Sequence, residues 1–145
     1  MRFEVVKVYV SVPKVTDLKV SSGASIVLEN NINNDVINLD ASASGIISGA
    51  LNTQKLNIHV TSSSFANISG TTNDMLIDAS SCAVCNTKKL ICKNAEVDAS
   101  SIATVYVNSS GSLNAAASSM AKVYYFENPI NVVSSTSSMG EIIKK

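Results

Sequence analysis

The tripeptide Asp-Ala-Ser occurs at Asp40–Ser42, Asp78–Ser80 and Asp98–Ser100, each time directly after an aliphatic residue: Leu39, Ile77 and Val97. The same beat falls at Val20, Val60, Ala115 and Val133, with successive separations of 19, 21, 17, 20, 18 and 18 residues. A period of about 19 residues sustained along a chain constrains the fold more than any other feature, because no unit that short can bury its own apolar face; the units must stack.

Aligned on this beat, the residue two earlier is Leu18, Ile37, Ile58, Met75, Ala95, Leu113 or Asn131, and the residue two later is Ser22, Ala41, Ser62, Ala79, Ala99, Ala117 or Ser135. Eight later stand Leu28, Ile47, Ile68, Cys85, Val105 and Val123, with Ile142 after a one-residue insertion. Even spacings between apolar columns are the mark of strand. Each repeat therefore supplies two short strands, joined at small residues such as Gly23, Ser63, Ser81, Ser101 and Ser119, which suit a tight bend. Loops at 30–35, 52–55, 71–74, 87–89, 108–112 and 127–129 close the coils. The reading is an all-β parallel β-helix of about seven coils, with Leu39, Val60, Ile77 and Val97 as one buried ladder, in a single domain spanning 1–145.

The 145 residues are 46% hydrophobic but only 15% charged, with eleven basic and eleven acidic residues. Disorder is disfavoured by the apolar fraction, and nucleic-acid binding by the zero net charge. No apolar run reaches the length of a spanning helix, so no membrane insertion is expected. The segment Val5–Val12 already reads as strand with no leader before it, which fits a start from which a targeting segment has been removed. Phe3, Val5, Val6, Val8, Val10 and Val12 leave the N-terminal coil apolar, whereas Lys144 and Lys145 guard the other end. Self-association is therefore expected through the N-terminal coil, with Val8→Lys more monomeric and Lys145→Ala little changed.

Five groups of residues invite chemistry or contact. His59, the one histidine, reads as outward between Asn38 and Leu76, with no aspartate in its column to orient it. Asp78 and Asp98 fall on adjacent coils with Glu96 beside them, a weak cation site or the carboxylates of a polysaccharide-cleaving enzyme, set against plain turn capping. Cys82 and Cys85 form C-x-x-C, but zinc lacks a second ligand pair and a strand lacks the helix N-terminus that redox motifs use. Cys85 then belongs to the core and the Cys82–Cys85 pair reads as structural, while Cys92 makes the cysteine count odd. Phe65, Cys82, Ile102, Met120 and Met139 form a column just after the bend; alternation points it outward as a contact stripe, while rotation at the bend would bury it. Tyr106, Tyr124, Tyr125 and Phe126 make an aromatic group suited to stacking sugars or to packing under the last loop. No cofactor is expected.

The run Val8–Pro13, then Leu18–Leu28, the recurring units such as Val97–Val105, and the ending Val123–Pro129 followed by Ser134–Ile143 resemble the auto-transporter adhesin head domain of the GIN type. Asn128 stands where that family often has Gly. The resemblance implies a right-handed β-helix in a secreted or cell-envelope protein of Gram-negative bacteria, with a binding or structural role and no catalytic residues to carry over. The expected function is a non-enzymatic surface module that meets a protein or glycan. The polysaccharide-acting enzyme of Asp78, Asp98 and Glu96, and a self-assembling scaffold, are the alternatives.

Overall fold

The computed structural model describes residues 6–145. Among them every regular element is a strand: β1 (Asp17–Val20), β2 (Ser25–Val27), β3 (Ile32–Ala41), β4 (Ile46–Val60), β5 (Phe65–Ala79), β6 (Val84–Ala99), β7 (Thr104–Ala117), β8 (Lys122–Phe126), β9 (Asn131–Thr136) and β10 (Glu141–Lys144). All pairings are parallel, and β3 to β7 stack in chain order, each on the one before. This is a β-solenoid of about 7 turns with repeats roughly 19 residues apart.

The coils are less segmented than the sequence suggests. The stretches 52–55 and 71–74 are not loops but bends inside β4 and β5, so one strand runs most of the way round each central coil. The buried/exposed alternation slips at Gly49–Ala50 and again at Gln54–Lys55, turning the chain while the ladder to the next coil continues. The third corner is a four-residue turn. In Thr61–Ser64 the two central residues have φ of 56° and 60° and Ser64 N–H returns to the Thr61 carbonyl, the geometry of a type I′ turn. The equivalent return bond closes every coil, from Ala24 to Ser21 at the first to Gly140 to Ser137 at the last.

The inward columns are shifted from the expected ones. Leu39 pairs with Ile58 rather than Val60, and the buried ladder runs Leu18, Leu39, Ile58, Ile77, Val97 and Ala115. Val20 and Val60 belong to the next column with Ala41, Ala79, Ala99 and Ala117. Likewise Ile26 and Ala66, not Leu28 and Ile68, align with Ile47, Cys85, Val105, Val123 and Ile142. Each error is a slip of two, which leaves a side chain on the same face of a strand and is invisible to alternation. Val133 is a slip of one: it pairs with Asn114 and points outward, while Ser134 takes the ladder position.

The expected strand at the N-terminus does not form. Residues 6–14 lie outside any strand and Val6, Val8, Val10 and Val12 are exposed; Phe3 and Val5 lie outside the described residues. The first coil begins at β1.

Candidate functional site

The broad outer face carried by the second half of each coil holds the charged candidates. Its register places Lys19, Asp40, His59, Asp78 and Asp98 on five consecutive strands in one column. His59 therefore does share its column with aspartates, contrary to the expectation, since the slip of two had set it between Asn38 and Leu76. Its Nδ1 lies 3.5 Å from Asp78 Oδ2, with both side chains about half exposed, a pair worth little to stability. Glu96 stands in the neighbouring column, in register with Leu76. Asp78 and Asp98 are in direct register, yet among the described residues no group of three His, Cys, Asp or Glu is placed to hold an ion. The shallow depression beside His59 is lined by Asp17, Lys19, Asn38, Asp40, Asn57 and Leu76 among others, with no hydroxyl or thiol to serve as nucleophile.

The apolar candidates divide into two adjacent columns at the turn corner. Backbone bonds from Ser63 to Ser81, Cys82 to Ser101, Ile102 to Ser119 and Met120 to Ser138 stack the turns, so Cys82, Ile102, Met120 and Met139 occupy one position. Phe65 is not in that column, where Ser63 stands instead; it pairs with Ile46 and Val84 two residues further on. Rotation at the bend does not bury the stripe: Ile102 is 53% exposed, Met120 47% and Met139 75%.

The aromatic candidates are largely engaged with one another. Tyr106 and Tyr124 stack with centroids 5.2 Å apart and an interplanar angle of 17°, while Lys145 Nζ stands 5.1 Å from the Tyr124 ring centre and Lys88 Nζ 4.7 Å from that of Phe126. Tyr125 packs against the core. Tyr124 thus has Tyr106 against its ring and a lysine ammonium close by, which leaves it a poor platform for a sugar.

A family profile described as "Putative auto-transporter adhesin, head GIN domain" matches residues 1–129. The chain belongs to this family. A solved structure, the crystal structure of a putative adhesin from Bacteroides fragilis, superimposes with a TM-score of 0.73 at 20% identity, covering 83% of this chain. This head domain spans 56% of that chain, and the likeness establishes the fold alone. No curated protein matches.

In this GIN-type head domain the polar ladders went unseen in the sequence. On the bend side, Thr71 Oγ1 donates to Asn52 Oδ1 at 2.9 Å, and Asn52 Nδ2 to Asn33 Oδ1 at 3.0 Å. With Gln54, Asn73 and their neighbours they line a shallow groove of about 450 Å³. Inside the same bend runs a second, buried ladder, Thr53, Thr72, Cys92 and Ser109. Thr53 Oγ1 donates to Asp35 and Lys55 carbonyls at 2.9 and 3.1 Å, Ser109 Oγ to Ser112 O at 2.8 Å, and Cys92 Sγ to Asn94 O at 2.8 Å. Cys92 is thus a hydroxyl surrogate, a role its spacing from Cys82 and Cys85 conceals. Cys92→Thr is expected to stay within about 1 kcal/mol of the parent in urea denaturation, whereas Cys92→Val, which strands a bend carbonyl, should lose about 1–2 kcal/mol.

All three thiols are free. Burial pushes Cys85 from 9.0 up to about 12; burial, then the charge of Asp74, pushes Cys92 up to about 12 against backbone hydrogen bonds that lower it. Only the thiolate alkylates, so iodoacetamide at pH 8 should label the exposed Cys82 and spare the other two until denaturant is added. Because both folded pKa values exceed the unfolded 9.0, the stability tied to these groups is complete below pH 9 and is lost as pH climbs toward 12. Native mass spectrometry of the alkylated protein reads the first outcome directly; three equivalents incorporated without denaturant would contradict the burial.

Proposed function

We propose that this head domain is a non-enzymatic, adhesin-type module of a bacterial surface or envelope, and that the turn corner of Phe65, Ile102, Met120 and Met139 is where it meets a protein partner. Family membership supports the adhesin-type role and an extracellular or envelope-associated location; a Gram-negative host is part of the proposal. The observation that carries the contact surface is Ile102. It holds a φ of 67°, a left-handed conformation that disfavours a β-branched residue, and it does so while half exposed. Gly23, Ser44 and Ser63 fill the same position in earlier coils, so the fold has no need of an isoleucine there. A strained side chain that leaves half of its apolar surface in solvent is what a partner surface would repay.

Ile102→Gly should therefore raise the free energy of unfolding by about 1 kcal/mol while weakening adhesion. The assay is retention of protein-coated beads on a panel of immobilised cell-surface and matrix proteins. An Ile102→Gly, Met120→Ser pair that adheres as well as the parent would remove this corner from the reading, and retention by no protein in the panel would remove the adhesin reading itself.

A further inference from the structure

The two ends of the solenoid carry the unused halves of the same ladders. At the turn corner the N–H of the second left-handed residue donates to the first left-handed residue of the following coil: Gly23 to Ala43, Ser44 to Ser62, Ser63 to Ser81, Cys82 to Ser101, Ile102 to Ser119 and Met120 to Ser138. At the last coil the Met139 N–H has the same geometry, with φ of 63°, and among the described residues no coil beyond it. At the first coil the matching acceptor, the carbonyl of Ser22, has no such donor before it among the described residues.

The strand edges repeat the pattern. Thr16 and Val20 turn their carbonyls toward β3, where Asn38 and Ser42 donate to them, so by alternation the peptide groups of Asp17 and Lys19 face away from the rod. Ser137 donates back to Ala117, so Val132, Ser134 and Thr136 present theirs at the opposite end. Among the described residues β9 pairs only with β7, and it is exposed throughout. It bears no charge, and the two terminal lysines stand at the end of β10 instead: Lys144 bonds to Asn128 and Lys145 leans over Tyr124.

We propose that these ends are each other's docking site, so that copies of this chain stack head to tail, the N-terminal coil of one on the C-terminal coil of the next. Translation by one coil sets Leu18 of the second copy over Ser134, Val20 over Thr136 and Ile26 over Ile142, which continues three inward columns. Ser134 N–H then meets the Asp17 carbonyl of the second copy, the Lys19 N–H of that copy meets the Ser134 carbonyl, and Met139 N–H meets the carbonyl of its Ser22. The interface is heterologous and does not close, so the product is a rod of indefinite length. This inference shares the backbone of Met139 with the corner of Ile102 but does not rest on what that corner binds.

Lys19→Pro and Ser134→Pro each remove one outward N–H at an exposed position without touching an existing ladder bond. Sedimentation velocity of the whole chain should show mass rising with concentration in whole-protomer steps, each variant alone as a monomer, and an equimolar mixture of the two as a dimer that grows no further. A parent chain that stays monomeric to its solubility limit, a variant that associates like the parent, or a mixture that stays monomeric would each overturn the proposal. If a proline variant loses its thermal transition, Leu18→Lys and Ser134→Lys, which set a charge into the inward column at an open face, make the same test.

Discussion

Replacing Val97 with Asp is expected to abolish folding. Val97 is 2% exposed and sits in the ladder between Ile77 and Ala115, in a column of aliphatic side chains that offers a carboxylate no partner. An unpaired charge buried there costs upward of about 4 kcal/mol, comparable to the whole stability of a typical domain. The solenoid is also a poor place to absorb such damage, since β6 is the partner of both β5 and β7 and its loss divides the rod in two. Circular dichroism should show loss of the strand signal at ambient temperature. The contrast is Val133→Asp, at an exposed position on β9, which should shift the urea midpoint little. A folded Val97→Asp with a normal midpoint would mean that the column is not the core.

Gly70→Ala should be nearly as severe although it adds one methyl group. Gly70 has a φ of 115°, and a Cβ there would stand 1.9 Å from the carbonyl oxygen of Leu51 on the preceding coil. That neighbour is backbone, in register with Gly70 and next to a fully buried leucine side chain, so it has no room to give. The cost is steric and conformational together, about 3 kcal/mol or more. It should be read as a lower urea midpoint with an unchanged slope. Midpoints within experimental error of the parent would show that the bend between Asn67 and Gly70, where the pairing with β6 also shifts register, is free to relax.

The architecture was legible because period and alternation are both carried by the residues that make the core. Nineteen-residue spacing and even-numbered columns suffice to infer stacked parallel strands, and the Asp-Ala-Ser units anchor three coils correctly. What alternation cannot resolve is a displacement of two residues, since Val60 and Ile58 face the same way and both are buried. That one ambiguity had consequences beyond the core: it separated His59 from Asp40 and Asp78, and it put Phe65 in the column of Ile102. Cys92 was unreadable for another reason. Its role depends on which carbonyls turn inward at a bend, and the bend has no Gly or Pro to announce it. The N-terminal valines mislead in the opposite sense, because alternation records a capacity for strand and not whether the segment pairs.

The continuity of β4 to β7, each bent round most of a coil and bonded to the coil on either side, bears on how the molecule answers a pulling force. A load applied between the two ends of the chain acts along the axis of the stack, perpendicular to the strands. The bonds of one coil are then opened in sequence from a terminus, as in unzipping, and are not sheared all together. Each coil released from the end should lengthen the chain by roughly 19 residues of about 3.4 Å, or about 65 Å. A single-molecule trace should then show low, evenly spaced steps beginning at the terminal coils, where β9 and β10 each hold by one edge. A head domain built in this way would yield gradually under tension and lose its outermost surface first.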